Sequence, residues 1–157
     1  MAIEIERKFL VRGDGWRAGA AATVYKQGYL SVNPGCSVRV RLGGDQAWLT
    51  IKGASKGLAR QEFEYPIPPG DAEALLGLCL PGVISKTRYV LMRGKHRWEI
   101  DEFHGDNEGL LVAEIELDHD DEAFDKPDWL GEEVSDDPRY YNAALSANPW
   151  CRWATRK

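Results

Sequence analysis

Charged residues recur at every second position in most of the hydrophobic segments of this 157-residue chain. In the first segment, IEIERKFLV, the residues Glu4, Glu6 and Lys8 stand two positions apart, and Ile3 and Ile5 fill the first gaps. Successive side chains of a β-strand point to opposite faces, so this spacing predicts a strand with one ionised face and one apolar face. A shift of register by one residue would exchange the two faces, so the pattern constrains how every such strand can pair.

Short alternating segments separated by Gly, Pro and Asp predict a mainly β (α+β) protein with antiparallel strands and few helices. The predicted strands cover residues 3–11, 24–30, 37–42, 47–52, 60–67, 83–91, 96–103 and 111–117. Gly43-Gly44 and Gly94-Lys95 predict hairpin turns. Residues 71–78 predict a helix with Asp71 as its N-cap, residues 120–124 a short helical turn, and Asp137-Pro138 the start of a C-terminal helix.

The charged face is unusual because it consists almost entirely of Glu, Asp, Lys and Arg. Its members are eight acids (Glu4, Glu6, Glu62, Glu64, Glu99, Asp101, Glu114, Glu116) and seven bases (Lys8, Arg39, Arg41, Lys52, Arg60, Lys86, Arg88). About eight strands can close into a barrel that holds a small ligand, and the charged face would then line the lumen. Enclosed charges of both signs are costly unless they pair or meet a ligand.

The residue types on this face match the chemistry of a phosphate chain. Carboxylates attract a hard divalent cation such as Mg²⁺, whereas Arg and Lys bind phosphate oxygens. The pattern therefore favours a metal-assisted site for a polyphosphate inside a barrel. The alternative is a ladder of cross-strand ion pairs without any further function.

The length and net charge of the chain argue against several classes of protein. We expect a single domain over residues 1–157, because this length suffices for one hydrophobic core. The net charge of −5 argues against a nucleic-acid surface, and no apolar run approaches the roughly 20 residues of a membrane span. The chain shows no signal peptide, and its three cysteines leave an odd thiol, so a cytoplasmic location is expected.

An ordered series of motifs resembles the CYTH superfamily, also called triphosphate tunnel metalloenzymes, and covers almost the whole chain. The series is Glu4-x-Glu6-x-Lys8, Gln27-Gly28-Tyr29-Leu30, Val38-Arg39-Val40-Arg41, Leu49-Thr50-Ile51-Lys52-Gly53, Arg60-x-Glu62-x-Glu64, Lys86-Thr87-Arg88-Tyr89, Trp98-Glu99-Ile100-Asp101, Ala113-Glu114-Ile115-Glu116, and a tail with Arg139-Tyr140-Tyr141-Asn142. The resemblance implies a closed eight-stranded antiparallel β-barrel, called the triphosphate tunnel, with a few flanking helices and a C-terminal helix near one mouth. It also implies Mg²⁺- or Mn²⁺-dependent chemistry on triphosphates.

The resemblance assigns expected roles to residues of the charged face. The positions that match metal ligands are Glu4, Glu6, Asp101, Glu114 and Glu116, and those that match phosphate-binding residues are Lys8, Arg39, Arg41, Lys52, Arg60 and Arg88. Glu62 and Glu64 match acids that orient a second metal or the attacking water. Lys86 and Tyr29 match a pair that handles this water, with Lys26 as an alternative to Lys86.

The expected function is hydrolysis of a small-molecule triphosphate, in first place inorganic triphosphate to pyrophosphate and phosphate. Alternative activities in the same tunnel are a class IV type adenylate cyclase and a thiamine triphosphatase. An alternative of another class is a non-catalytic module that binds polyphosphate or nucleotides. We expect no nucleic-acid or membrane partner, and a homodimer is compatible with the apolar tail residues.

Overall fold

The computed structural model describes residues 3–54, 56 and 58–153, with the side chains of Ile3 and Glu4 outside the described part. The strands are β1 (Ile3–Val11), β2 (Ala21–Asn33), β3 (Cys36–Gly43), β4 (Gln46–Gly53), β5 (Ala59–Ile67), β6 (Ile84–Arg93), β7 (His96–Phe103), β8 (Leu111–Glu116) and β9 (Leu130–Glu133). The helices are α1 (Pro69–Leu76) and α2 (Asn142–Ala147), and 3₁₀ turns cover Gly105–Asn107, Pro138–Tyr140 and Trp150–Arg152. Within the described ranges, we find no helix with the length and apolar character that a membrane crossing requires.

Eight antiparallel strands form a closed barrel in the order β5-β4-β3-β2-β6-β7-β8-β1. The barrel closes where β1 pairs with β5, with Ile3 opposite Gln61 and Ile5 opposite Ala59. β9 is a ninth strand that pairs with β1 beside the barrel. The predicted eight-stranded barrel and both predicted hairpins are therefore confirmed, with turns at Gly44-Asp45 and Gly94-Lys95.

Some predicted elements differ from the structure. Residues 120–124 form no helix, because this segment runs across the barrel wall and the Glu122 carboxylate binds the His96 ring and the Asp118 backbone N–H. The predicted C-terminal helix is divided at Tyr141, whose extended backbone separates the 3₁₀ turn capped by Asp137 from α2. The β9 strand was not predicted.

Two apolar clusters cover the outside of the barrel. Trp98, at the centre of the first, is fully buried and packs edge-to-face against Trp129 and Phe124, with ring centroids 5.2 and 5.8 Å away. The second cluster lies under α1, where Ala72 packs among outward-facing residues of β3 and β4. Both clusters bury the apolar face that alternates with the charged one, which leaves the charged face directed into the lumen.

A third apolar cluster closes one end of the lumen, and we call it the plug. It contains Ile84, Phe103 and Val112. Each lies on the inward face of its strand (β6, β7 or β8), two positions from an inward-facing charged residue. Leu145 of α2 and Tyr140 of the preceding turn pack on them, and all five side chains are buried. The C-terminal segment thus seals the barrel at this end, in agreement with the expected helix near one mouth.

Candidate active site

The lumen contains a cavity of about 240 Å³ with a strongly charged wall. The lining residues are Glu6, Lys8, Tyr29, Ser37, Arg39, Arg41, Lys52, Arg60, Glu62, Glu64, Arg88, Glu99, Glu114, Glu116, Tyr141, Asn142 and Ala143. Among the predicted site residues with described side chains, Lys86 and Asp101 do not line this cavity. The structure therefore brings the other predicted site residues together around one space.

Carboxylates dominate the wall formed by β1, β8 and β7. Glu6 lies opposite Glu116 in the β1–β8 ladder, and Glu99 lies opposite Glu114 in the β7–β8 ladder. Like charges in directly opposed positions repel each other. Burial, together with Glu62 and Glu99, raises the pKa of Glu116 above its ordinary value, and Glu116 forms no ion pair within the described residues. The other acids of this wall contact bases, Glu6 with Arg60 and both Glu99 and Glu114 with Arg88, so Glu116 is the carboxylate best suited to attract a cation.

The predicted metal ligands are only partly described. Glu6, Glu114 and Glu116 line the cavity, whereas the side chain of Glu4 lies outside the described part. Within that part, no three acids, histidines or cysteines are close enough to form a metal-binding group. The backbone places Glu4 two residues before Glu6 and thus on the same face of β1. The metal assignment stays a prediction.

Bases and their partners form the opposite wall. Arg39 Nη2 donates a hydrogen bond to Thr50 Oγ1 at 3.2 Å, and Thr50 in turn donates to Glu64 at 3.0 Å. The Arg39 Nε–H is buried and has no hydrogen-bond partner within the described residues. Lys52 Nζ lies 3.3 Å from Glu62. Glu62 and Glu64, predicted to bind a second metal or the water, thus contact bases in this structure.

The electrostatics of this wall favour an anion. Burial, with Arg39 and Arg88 nearby, lowers the pKa of Arg41 to about 9. The guanidinium stays protonated at neutral pH, and repulsion by the two neighbouring guanidinium groups adds to the effect of burial on its pKa. An anionic ligand would relieve this repulsion.

Lys8 connects the basic and acidic walls. Its Nζ lies 3.5 Å from Glu114 and 5.3 Å from the centre of the Tyr141 ring. Burial alone would lower the pKa of Lys8, but Glu114 and Glu6 outweigh it, so the pKa is raised and the side chain is a stable cation.

Asp101 lies behind the cavity wall, where it holds two cations. It accepts hydrogen bonds from Arg88 Nε at 2.8 Å and Nη2 at 2.9 Å, and from Lys86 Nζ at 2.7 Å. Its burial would raise the pKa of Asp101, but Arg88 and Lys86 hold it well below its usual range. In this arrangement Asp101 orients the cations, in contrast to Glu6, Glu114 and Glu116, which line the cavity.

Lys86 is fully buried, and its Nζ contacts Asp101 and Asn142 Oδ1, the latter at 3.0 Å. Burial is the main factor that lowers the pKa of Lys86 to about 7, with Arg88 and Arg41 contributing and Asp101 opposing. A lysine with this pKa can exchange a proton near neutral pH. Lys26, the alternative, is exposed on the outer face of β2.

Tyr29 reaches the cavity from β2, opposite Arg39 in the β2–β3 ladder. The side chain is 7% exposed, and the hydroxyl forms no hydrogen bond with any residue in the described ranges. A phenol in this setting can donate to, or accept from, a molecule in the cavity. The catalytic role of Tyr29 stays a prediction.

Several residues at the site were not predicted as site residues: Ser37, Glu99, Tyr141, Asn142 and Ala143 line the cavity, and Gln27 contacts Arg41 and Asn142. Glu99 could have been, because it alternates with Asp101 on one strand. Gln27, Tyr141 and Asn142 gave no charge signal, and the last two come from the C-terminal segment, whose position depends on tertiary packing.

Comparisons with known proteins identify the family to which this chain is similar. The family model described as the CYTH domain matches residues 2–141. An inorganic triphosphatase from Acetivibrio thermocellus is 48% identical over 151 residues, covering 96% of this chain and 97% of the relative. An inorganic triphosphatase from Nitrosomonas europaea is 38% identical over 152 residues, covering 91% and 96%. A crystal structure of an inorganic triphosphatase matches with a TM-score of 0.66 and 36% identity, covering 91% of this chain and 97% of that one.

Proposed function

Because the chain belongs to the CYTH domain family, we propose that it is a divalent-metal-dependent hydrolase of small-molecule triphosphates, with inorganic triphosphate as its substrate. The observation that carries this proposal is the enclosed cavity with a carboxylate wall facing a wall of arginines and lysines. The names of the two curated relatives support the choice of inorganic triphosphate.

The shape of the lumen favours a short phosphate chain. The cavity of about 240 Å³ is bounded on the plug side by Tyr141, Asn142 and Ala143, and the buried plug behind them leaves no room for a nucleoside. We expect a triphosphate to enter from the charged side with one terminal phosphoryl group toward the plug. Inorganic triphosphate would then lie within this space, whereas the base and sugar of ATP would stay at the mouth.

Carboxylates of β1 and β8 fit a divalent metal, for which we propose Mg²⁺ or Mn²⁺. The opposed pair Glu6 and Glu116, with Glu114 and the preceding Glu4, would hold it through hard oxygen ligands. The bound metal would offset negative charge on the phosphates.

The cationic wall binds the substrate and stabilises charge that develops on the transferred phosphoryl group. Arg39, Arg41 and Arg88 present planar guanidinium groups suited to phosphate oxygens, and Lys8 and Lys52 add point charges. Lys8, Arg39 and Arg88 are buried, which strengthens these interactions because the effective dielectric constant is lower there than in bulk water.

The chain also supplies groups for the attacking water. We assign Tyr29 to hold this water, because its hydroxyl faces the cavity. Lys86, whose pKa is about 7, would take up the proton, either through a shift toward the cavity or through an intervening water. Phosphoryl transfer to water then gives pyrophosphate and phosphate.

A substrate panel tests this function. Inorganic triphosphate, ATP, thiamine triphosphate and a longer polyphosphate are each assayed with Mg²⁺, Mn²⁺ or EDTA, and both phosphate and cyclic AMP are measured. Fast phosphate release from inorganic triphosphate that EDTA abolishes would support the proposal. Cyclic AMP from ATP would reassign the chain as a cyclase, and tight binding of triphosphate without turnover of any substrate would reassign it as a binding module.

A further inference from the structure

A chain of hydrogen bonds runs along the inner end of the cavity and connects Arg41 with Lys86. Arg41 Nε donates to Gln27 Oε1 at 3.0 Å, and Gln27 Nε2 donates to Asn142 Oδ1 at 3.1 Å. Lys86 Nζ donates to the same Asn142 oxygen at 3.0 Å. Gln27 and Lys86 are both fully buried, so these bonds are shielded from water.

Arg41, at one end of this chain, fixes the orientation of both amides. Arg41 Nε can only donate, so it must face the Gln27 oxygen rather than the Gln27 nitrogen. Because the Gln27 oxygen accepts from Arg41, the Gln27 nitrogen faces Asn142. It donates to the Asn142 oxygen, which also accepts from Lys86. A flip of either amide would bring two donors together, so the network admits one orientation.

Asn142 consequently directs its NH₂ group away from Lys86 and Gln27. The Nδ2 atom forms no hydrogen bond within the described residues, whereas the residue lines the cavity. Asn142 is the first residue of α2, and Leu145 of this helix is buried in the plug. A rigid element therefore presents a neutral donor with two N–H groups at the closed end of an anion-binding cavity.

We propose that Asn142 is a substrate-binding residue whose Nδ2 donates hydrogen bonds to oxygens of the terminal phosphoryl group at the closed end of the cavity. This inference rests on the proposed function. The ligand is a phosphoryl group because Arg41 and the other cations select an anion. It is a terminal group because the plug ends the cavity beside α2, so any substrate longer than three phosphates must extend toward the mouth.

The Asn142→Asp variant separates binding of substrate from positioning of Lys86. A carboxylate has the same shape and still accepts from Lys86 and Gln27, but it replaces the donor with a negatively charged acceptor. An acid is also favourable in the first turn of a helix, so the fold should be retained. Because the added charge itself also repels phosphate, the loss in Asn142→Asp is compared with that in the neutral variant Asn142→Ala, which removes the donor without adding charge.

The affinity for inorganic triphosphate is measured by calorimetry in EDTA, so that binding is observed without metal-dependent turnover. We expect a loss of about tenfold in Asn142→Ala and about a hundredfold in Asn142→Asp, because hydrogen bonds to charged groups contribute this range. In the Mg²⁺-dependent assay, KM should rise in the same order. The matched control is Asn148→Asp, which adds the same charge at the exposed end of α2 and should bind like the wild type.

The possible results distinguish a failure of this inference from a failure of the proposed function. Wild-type affinity in Asn142→Asp, or in Asn142→Ala, would overturn the inference and leave the proposed function intact, because the wild-type protein would still bind and hydrolyse triphosphate. A wild-type protein that neither binds nor hydrolyses triphosphate would overturn the proposed function and this inference with it. An equal loss of affinity in Asn148→Asp would show that the loss in Asn142→Asp arises from the change in net charge, and it would also overturn the inference.

Discussion

Gly82 provides a sharp test of how the plug is held in the barrel. This residue precedes β6 with a φ of +97°, and a Cβ placed on it would lie 2.0 Å from the backbone carbonyl oxygen of Ser146 in α2. Ordinary contact for a Cβ begins at 3.4 Å, so the helix backbone would have to retreat by more than an ångström. Gly82→Ala therefore combines backbone strain with a clash against backbone that cannot rotate away.

The expected loss of stability in Gly82→Ala is the sum of these two contributions. A positive φ costs a residue with a Cβ about 1–2 kcal/mol, and overpacking costs about 1–3 kcal/mol. The matched control is Gly94→Ala, because Gly94 has a φ of +62° but no heavy atom within 4 Å of the added Cβ. We expect Gly82→Ala to lower the free energy of unfolding by about 2–5 kcal/mol and Gly94→Ala by about 1–2 kcal/mol.

Urea denaturation of both variants measures this difference, and steady-state hydrolysis of inorganic triphosphate measures its effect on the site. A displaced α2 would move Asn142 away from Lys86, so Gly82→Ala should also lose more activity than Gly94→Ala at a temperature where both are folded. Equal losses of stability, within about 0.5 kcal/mol, would show that α2 does not pack against Gly82 as described.

Three further predictions concern the site and the barrel wall. Glu116→Gln should lower metal-dependent turnover by about a hundredfold or more, since several kcal/mol of charge stabilisation depend on the metal ligands, while the melting temperature stays unchanged; retained activity would remove Glu116 from the metal set. Lys86→Ala should lower kcat by about a hundredfold with little change in KM, and a change in KM alone would make Lys86 a binding residue. The hydrogen bond from His96 and that from the Asp118 backbone lower the pKa of Glu122 from 4.5 to about 2, so its stabilisation is complete above pH 4.5 and disappears as the pH falls toward 2. The melting temperature of Glu122→Gln should consequently fall less between about pH 6 and pH 3 than that of the wild type, and parallel curves would contradict this assignment.

The sequence predicts the face of a residue better than its depth in the barrel. Alternation placed Lys86, Arg88 and Asp101 on the inward face, because the period of a strand is independent of its neighbours. It could not show that Lys86 lies one step nearer the plug than Arg88, opposite Phe103, which follows from the β6–β7 register and from the docking of α2. It also could not show that Asp101, opposite Arg88, is engaged by Arg88 and Lys86 and does not line the cavity.

Elements that lack a periodic pattern were the ones missed. β9 has only four residues, LGEE. It pairs with β1 at Phe9 and Val11, beyond the residues of β1 that pair with β5. Asn142 is an uncharged residue on a six-residue helix, and only its contact with Gln27 and Lys86 reveals it. Long-range packing determined both, and a single sequence carries little information about such packing.

The closure of the barrel through β1 has a consequence for the order of folding. β1 pairs with β5, with β8 and with β9, so its last partner, Glu133, is separated from Phe9 by most of the chain. At ordinary rates of translation the ribosome needs about ten seconds to synthesise this stretch, during which the first strand has no complete set of neighbours. Such distant pairings give the fold a high contact order and slow its final step. The strand that precedes all of its partners in the chain, and that carries Glu6 and Lys8, is therefore the one whose place in the sheet is completed last.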